Sequence, residues 1–363
     1  MFMSKFFIKL LIFLSPLIAW TLVVNFLLPI DFYYSRIWEA LSPKKLTGVW
    51  SGAFYPSQYL EKIEKGDLGP HTQYAVDHQV VWQTDQYGMR NTTLKDHYDI
   101  VVLGDSTASG AGLSQEETLS SRIEALTSLN TYSYTNGSIQ DFLRDERFSN
   151  EQQPKIIIQS SMERMLPSMG MPEDLSLIKP VPLSVMDRIR LNSFFSRTAI
   201  FFDRAFDPTL FKFIKFKLTG HKSHFYTYER DGILFISGDS ANEAVAQEQL
   251  DQAISSLTSY SRQLTALGYR FIFVPVPNKE NIYYSMLPSQ AKPVFLKQLI
   301  TGLRQAGVEV IDTQSSFDAE FKQHGPTMYH SDDTHWNGLG VNLVSAEITK
   351  LLKKDGLEKI KQL

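Results

Sequence analysis

Ile100-Val101-Val102-Leu103-Gly104-Asp105-Ser106-Thr107-Ala108-Ser109-Gly110 is the stretch on which the reading of the fold turns. A branched apolar run too short for a helix gives way at once to Gly-Asp-Ser and then to small residues. With no alternation of polar and apolar positions, such a run reads as a strand buried on both faces, as the strands of a parallel sheet are. Open α/β sheets place their sites at the carboxyl ends of those strands. The run therefore predicts a strand that delivers Ser106 to that edge, and Ser114-Gln115-Glu116-Glu117 has the spacing of a capping box opening a helix. Ser106 is a candidate nucleophile there, among unpaired backbone N–H groups suited to an oxyanion.

Working outward, the chain alternates. Helical patterns cover 115–129 and 138–148, and strands cover 131–135 and 155–159. Further on come a helix over 241–267 closed by Gly268, a strand over 269–276, a helix over 289–306 closed by Gly307, a strand over 308–311 and a last helix over 338–352. This order predicts a parallel sheet covered by helices on both faces. Residues 167–230 break the rhythm with Phe194-Phe195, Phe201-Phe202, Phe206 and the run Phe211-Lys212-Phe213-Ile214-Lys215-Phe216-Lys217. Two readings compete for this insertion: a small core of its own, or a basic aromatic surface lying against membrane or a membrane partner. The 211–217 run fits an extended segment or the continuation of a helix from Pro208. Residues 31–96 read as a connector packed on the catalytic body. Within it, 82–91 predicts a hairpin turning at Gly88, structural in role, with Arg90 or Asn91 as alternative contacts to an active site.

The 363 residues, 43% hydrophobic and 21% charged, suffice for one large domain or two small ones. A net charge of -3 offers no general attraction to nucleic acid, and neither a Gly-rich phosphate loop nor zinc-ligand spacing is present. The absence of cysteine excludes disulfides, thiolate metal sites and a Cys nucleophile. Residues 10–30 carry no charge, about the 20-residue length that crosses a bilayer as a helix. Lys5 and Lys9 precede this run, and Arg36, Lys44 and Lys45 nearly balance them after it. It is longer than an ordinary signal-peptide core and lacks an Ala-x-Ala site, so it reads as an uncleaved signal anchor with the N-terminus inside.

Near the other end stands Tyr329-His330-Ser331-Asp332-Asp333-Thr334-His335-Trp336-Asn337, just before the last helix. A serine hydroxyl becomes a competent nucleophile when a base removes its proton, and imidazole suits that task once a carboxylate holds its other nitrogen. His335 is the candidate base. Asp332 and Asp333 both lie within reach of the carboxylate role.

Together these motifs resemble the SGNH (GDSL-like) hydrolase superfamily, and Asp333-Thr334-His335-Trp336 is similar to a signature of the alginate-type polysaccharide O-acetyltransferases. Met162-Glu163-Arg164 and the block Pro275-Val276-Pro277-Asn278-Lys279-Glu280-Asn281-Ile282-Tyr283 fit the same pattern. The resemblance spans about 99–348. It implies an SGNH/flavodoxin-like three-layer α/β/α fold with a parallel sheet, here preceded by one N-terminal transmembrane helix, and a catalytic domain over 97–355. It implies Ser106 as nucleophile, His335 as base and Asp333, rather than Asp332, as its partner. The family's Gly-x-Asn-Asp block is missing; Asn136-Gly137 supplies the oxyanion glycine, Gly137, while Ser160-Ser161-Met162-Glu163-Arg164 stands where the asparagine would come. Arg164 there either meets negative charge or substrate, or pairs with Glu163. The implied activity is acyl transfer, through acyl-Ser106, to hydroxyls of an extracytoplasmic polysaccharide, without metal or cofactor. A membrane-bound O-acyltransferase partner would supply the acyl group, and the domain would sit on the outer face of the bacterial cytoplasmic membrane. An esterase using water in place of the sugar, and a non-catalytic polysaccharide-binding or adaptor module, are the alternatives.

Overall fold

The computed structural model describes residues 2–43, 52–149, 153–219, 227–236 and 244–354. Helix α1 (Phe2–Leu22) continues through a π-helical turn, and together Lys5–Leu27 are long and apolar enough to cross a membrane, with a mean hydropathy of 2.2. Lys44 and Lys45, which bear on its orientation, lie outside the described residues. A short helix α2 (Ile37–Leu41) follows, then the antiparallel hairpin of β1 (Tyr59–Glu64) and β2 (His78–Gln83).

The α/β body begins with β3 (Ile100–Gly104), α3 (Ser106–Ser109), α4 (Leu119–Thr127), β4 (Thr131–Thr135), α5 (Ile139–Arg144) and β5 (Ile156–Met162). The insertion supplies α6 (Val185–Leu191), α7 (Ser193–Ala205) and α8 (Pro208–Thr219), then the antiparallel pair β6 (Thr227–Arg230) and β7 (Ile233–Ile236). The body resumes with α9 (Gln247–Ala266), β8 (Arg270–Val276), α10 (Lys279–Ile282), α11 (Phe295–Gln305), β9 (Glu309–Val310), α12 (Thr313–His324) and α13 (Gly338–Lys354).

The central sheet has the order β4-β3-β5-β8-β9 with every pairing parallel. Period-two alternation splits its strands between two cores. Val101, Leu103, Ile157, Phe271 and Phe273 face one core, under α5, α9 and α11, and Ile100, Val102, Ile158, Ile272 and Val274 face the other, under α4, α12 and α13. This is the three-layer arrangement the sequence implied. The strand order reverses between β3 and β5, and at such a switch point the connections leave in opposite directions and open a crevice at the carboxyl edge.

Several local expectations are corrected. The hairpin over 82–91 does not form: β2 pairs with β1, while Asp85 accepts the N–H groups of Tyr87 (2.8 Å) and Met89 (3.1 Å) and closes a turn through Gly88 at φ 78°. The helix expected from 289 begins at Phe295, because Pro293 lacks an N–H and disfavours helical backbone in the residue before it. The 115–129 helix divides into a turn, Gln115–Glu117, which carries the expected Ser114 capping box, and α4, with Thr118 extended between them. The 138–148 helix ends at Arg144. Helix α9 starts at Gln247; the expected onset at 241 lies outside the described residues. The 211–217 run is helical, within α8.

Candidate active site

Ser106 opens α3 directly after β3, and local geometry dictates its placement. A Cβ on Gly104 would come within 2.6 Å of the Ala108 Cβ and 2.7 Å of the Ser160 carbonyl oxygen, so only glycine lets the strand turn this closely. Asp105 then works in two directions: Oδ1 accepts the Thr107 N–H (2.9 Å) and caps α3, while Oδ2 accepts the Met162 N–H (3.0 Å) at the end of β5. Arg90, wholly buried, donates to the carbonyls of Ser109 (2.7 Å), Gly110 (2.6 Å) and Leu113 (2.6 Å), and its guanidinium lies 3.5 Å over the Trp82 ring. Burial lowers its pKa to about 9, so it stays cationic at neutral pH. Arg90 therefore supports the loop behind the serine. Asn91 is likewise structural, spanning Asp85 (2.9 Å) and the Ser133 carbonyl (3.2 Å).

The second loop brings His335 over this turn. Ser106 Oγ lies 2.8 Å from His335 Nε2, and His335 Nδ1 lies 2.5 Å from Asp333 Oδ1. The same carboxylate oxygen accepts the His335 N–H at 2.8 Å. Asp332 turns away and accepts the N–H groups of Gly66 and Val76, each at 2.8 Å, with His78 at 3.3 Å. Both aspartates and His335 are buried. Burial opposes charge on His335, but the Asp333 charge and hydrogen bond outweigh it and raise the imidazole above its ordinary pKa. Burial also opposes charge on Asp333, yet the facing imidazolium and the hydrogen bonds from His335 hold it well below the usual carboxylate range. The arrangement is a hydroxyl, an imidazole and a carboxylate in series.

Two residues that sequence reasoning did not assign hold this loop. Lys279 is buried, and its Nζ meets the carbonyls of Leu234 (2.7 Å), His330 (2.7 Å), Ser331 (3.0 Å) and Asp333 (3.0 Å). Asp67, from the connector, accepts the Thr334 N–H (2.9 Å) and hydroxyl (2.8 Å), donates its own N–H to Asp333 Oδ2 (2.9 Å), and stands 3.8 Å from His335 Nδ1. Burial and the adjacent Asp333 charge raise its pKa, so the two carboxylates beside one imidazole are pushed apart. Arg36 reaches Asp67 at 3.4 Å. Lys279 sits in the quoted 275–283 block and had a signal; Asp67, in the turn-like Gly66-Asp67-Leu68-Gly69-Pro70, had none.

Gly137 lies on the loop that Asn136 ties to the end of β3, through its N–H to the Gly104 carbonyl (2.7 Å). Gly137 also lines an open cavity of about 540 Å³ with Tyr134, Asp141 and Arg144. Arg164 is exposed and makes no ion pair among the described residues. Its pairing with Glu163 does not form: Glu163 is buried, pushed up to about pH 7 by burial, and its oxygens accept the Asn278 N–H (2.9 Å) and the Asn281 side chain (2.8 Å). The blocks 162–164 and 275–283 thus meet beneath the site.

Residues 228–363 match the family model described as SGNH hydrolase-like domain, acetyltransferase AlgX. That match contains the Lys279 block and the His335 loop, and Ser106 lies before it. No curated protein matches the chain. Among solved structures, a protein described as a GDSL-like lipase from Parabacteroides merdae aligns over 73% of this chain and 100% of its own, at 13% identity and a TM-score of 0.34. The acetylxylan esterase Axe2 from Geobacillus stearothermophilus aligns over 72% of this chain and 97% of its own, at 13% identity and a TM-score of 0.33.

Proposed function

We propose that the chain, whose residues 228–363 match the model of an SGNH hydrolase-like domain, acetyltransferase AlgX, is a serine O-acyltransferase, an O-acetyltransferase of an extracytoplasmic polysaccharide. The observation that carries the reading is the unbroken series Ser106 Oγ, His335 and Asp333, at 2.8 Å and 2.5 Å. His335 Nε2 takes the Ser106 proton as Oγ attacks the carbonyl carbon of the acyl donor. The resulting oxyanion meets the N–H groups of Ser106 and Gly137. Asp333 stabilises the imidazolium, which then gives its proton to the leaving group as the carbonyl re-forms. A sugar hydroxyl, deprotonated by His335, attacks acyl-Ser106, and the serine recovers the proton. Arg164, exposed at the β5 edge, is assigned to substrate.

In this reading 1–30 anchor the protein in the cytoplasmic membrane, 31–96 pack on the catalytic body, 97–355 form the periplasmic catalytic domain, and a membrane-bound O-acyltransferase delivers the acyl group. An outward-facing domain has no access to cytoplasmic acyl-coenzyme A, which is why the donor must cross the bilayer. The test is a fluorophosphonate probe followed by mass analysis of an acetyl ester turned over with and without polysaccharide. Labelling of Ser106 and ester appearing on the polymer are expected. Labelling with release of free acetate only would make the protein an esterase, and no labelling would leave a binding module.

A further inference from the structure

The insertion does not stand apart from the N-terminal helix. Asn25 Nδ2 donates to the Phe201 carbonyl (2.9 Å), and Trp20 Nε1 donates to the Ala205 carbonyl (2.8 Å). The Phe26 and Phe201 rings lie 6.2 Å apart, and the Trp20 ring stacks on Phe211 at 5.9 Å. As α7 advances from Phe201 to Ala205 it therefore passes from the level of residue 25 back to that of residue 20. Trp20 is seven residues before Leu27, where the apolar helix ends, which places the α7–α8 turn roughly 10 Å inside that end. Beyond Phe211 the chain climbs out again: Phe213 meets Phe32 at 5.0 Å, and Phe216 stacks on His71 at 5.0 Å.

The groups at this level suit lipid except Arg204, a half-buried guanidinium whose Nε has no hydrogen-bond partner among the described residues. Phe202 (47%), Phe206 (42%) and Phe211 (48%) are exposed, as are Phe13, Leu17, Leu22 and Phe26 of the apolar helix. The acidic groups here are buried and partnered: Asp203 accepts from the Tyr55 hydroxyl, and Asp207 accepts from the Tyr34 hydroxyl and from the Thr209 N–H (2.7 Å). In hydrocarbon an unpaired polar group costs several kcal/mol, and an interfacial helix typically sinks about 5–10 Å. Lys215, exposed on α8 beyond Phe213, is placed to meet phospholipid headgroups.

We propose that the α7–α8 turn, with Phe202, Phe206 and Phe211, is seated in the lipid bilayer beside the spanning helix, so that the catalytic body is fixed on the membrane at two points. The proposal rests on the anchor reading above. Any placement that puts Trp20 and Phe26 in hydrocarbon carries Phe206 and Phe211 with them, because hydrogen bonds and stacked rings join the two. A flexible tether would let the body leave the surface; this seat holds it there.

The chain has no cysteine, so single labels are clean. Full-length Phe13→Cys, Phe202→Cys, Phe206→Cys and Leu126→Cys variants carry a spin label in vesicles of phosphatidylcholine and phosphatidylglycerol, with no other protein present. Collision with lipid-soluble oxygen is compared with collision with a water-soluble nickel chelate. Phe202 and Phe206 lie on different turns, and thermal unfolding like the parent's certifies each variant. The expected result is an oxygen-to-nickel ratio at Phe13, Phe202 and Phe206 at least several-fold above that at Leu126. An aqueous Phe13 label overturns the anchor and this proposal together. A lipid-facing Phe13 with aqueous Phe202 and Phe206 overturns this proposal alone. Labels at Phe202 and Phe206 shielded from both reagents mean a second copy covers the turn, and also overturn it.

Discussion

The Ser106 turn and the His335 loop face each other across 2.8 Å but are built differently. Around Ser106 the supports are near in sequence: Gly104 permits the turn, Asp105 caps it, and the strand ladder sets its height. The His335 loop is held from afar, by Lys279 after β8 and by Gly66 and Asp67 from the connector. Ser106 is thus positioned by secondary structure, whereas His335 is positioned by tertiary contacts. It follows that damage at long range should disturb His335 before Ser106.

The largest expected effect treats the two loops as one machine. Ser106→Ala and His335→Ala should each lower kcat by about 10⁴-fold or more, and the double variant should lose little further. Independent, multiplying losses in steady-state assays would show that the two side chains do not act together. Next comes the contrast between neighbouring aspartates. Asp333→Asn should cost ~10⁴-fold in kcat, since it removes the carboxylate that orients and stabilises the imidazolium. Asp332→Asn should leave kcat within about tenfold and lower stability by ~1–3 kcal/mol through its bonds to Gly66 and Val76. The reverse order would reassign the base's partner.

Lys279→Met probes the remote support directly. Four carbonyls lose their cation, and denaturant unfolding should report a loss of about 2–4 kcal/mol. Phosphonate labelling of Ser106 should slow through its misplaced base; unchanged labelling would mean the loop holds without the lysine. The pH profile sharpens the same point. His335 accepts a proton only when neutral, and its raised pKa keeps it charged to higher pH, so kcat/KM should climb through a midpoint above the ordinary histidine value of about 6.5. Asp333→Asn should move that midpoint down, because burial then acts without the opposing charge. The smallest effect belongs to Asp67→Asn, a slight downward move of the same midpoint with kcat within about tenfold, since Asp67 acts on His335 from 3.8 Å. No movement of the midpoint would confine Asp67 to holding Thr334.

Much of this was legible in the chain. The 100–110 run placed β3 and Ser106 correctly because a fully buried strand has no polar alternation to confuse the pattern. Residues 332–335 declared an imidazole and two carboxylates, but spacing alone left both aspartates in reach. What chose between them was the connector: the Gly66 and Val76 N–H groups occupy Asp332 and leave Asp333 to His335. No periodicity in 31–96 announces that role, because turn residues owe their backbone geometry to local chemistry and their partners to the fold. The expected 82–91 hairpin failed for a related reason, as β2 found its partner in β1, where burial alternates but residue type does not follow it, Tyr59 and Ile63 being exposed and Glu64 buried.

By itself, then, the sequence determined the layers, the strand end that carries Ser106 and the loop that carries His335, since these follow from hydrophobic patterning and from residue types with few chemical uses. The carboxylate that meets His335, the buried lysine that clamps its loop, and the seating of α7 and α8 along the apolar helix were decided only by the tertiary structure. Each depends on groups brought together from tens to hundreds of residues apart, 254 between His78 and Asp332 and 185 between Trp20 and Ala205, and no local energy records such a meeting in advance.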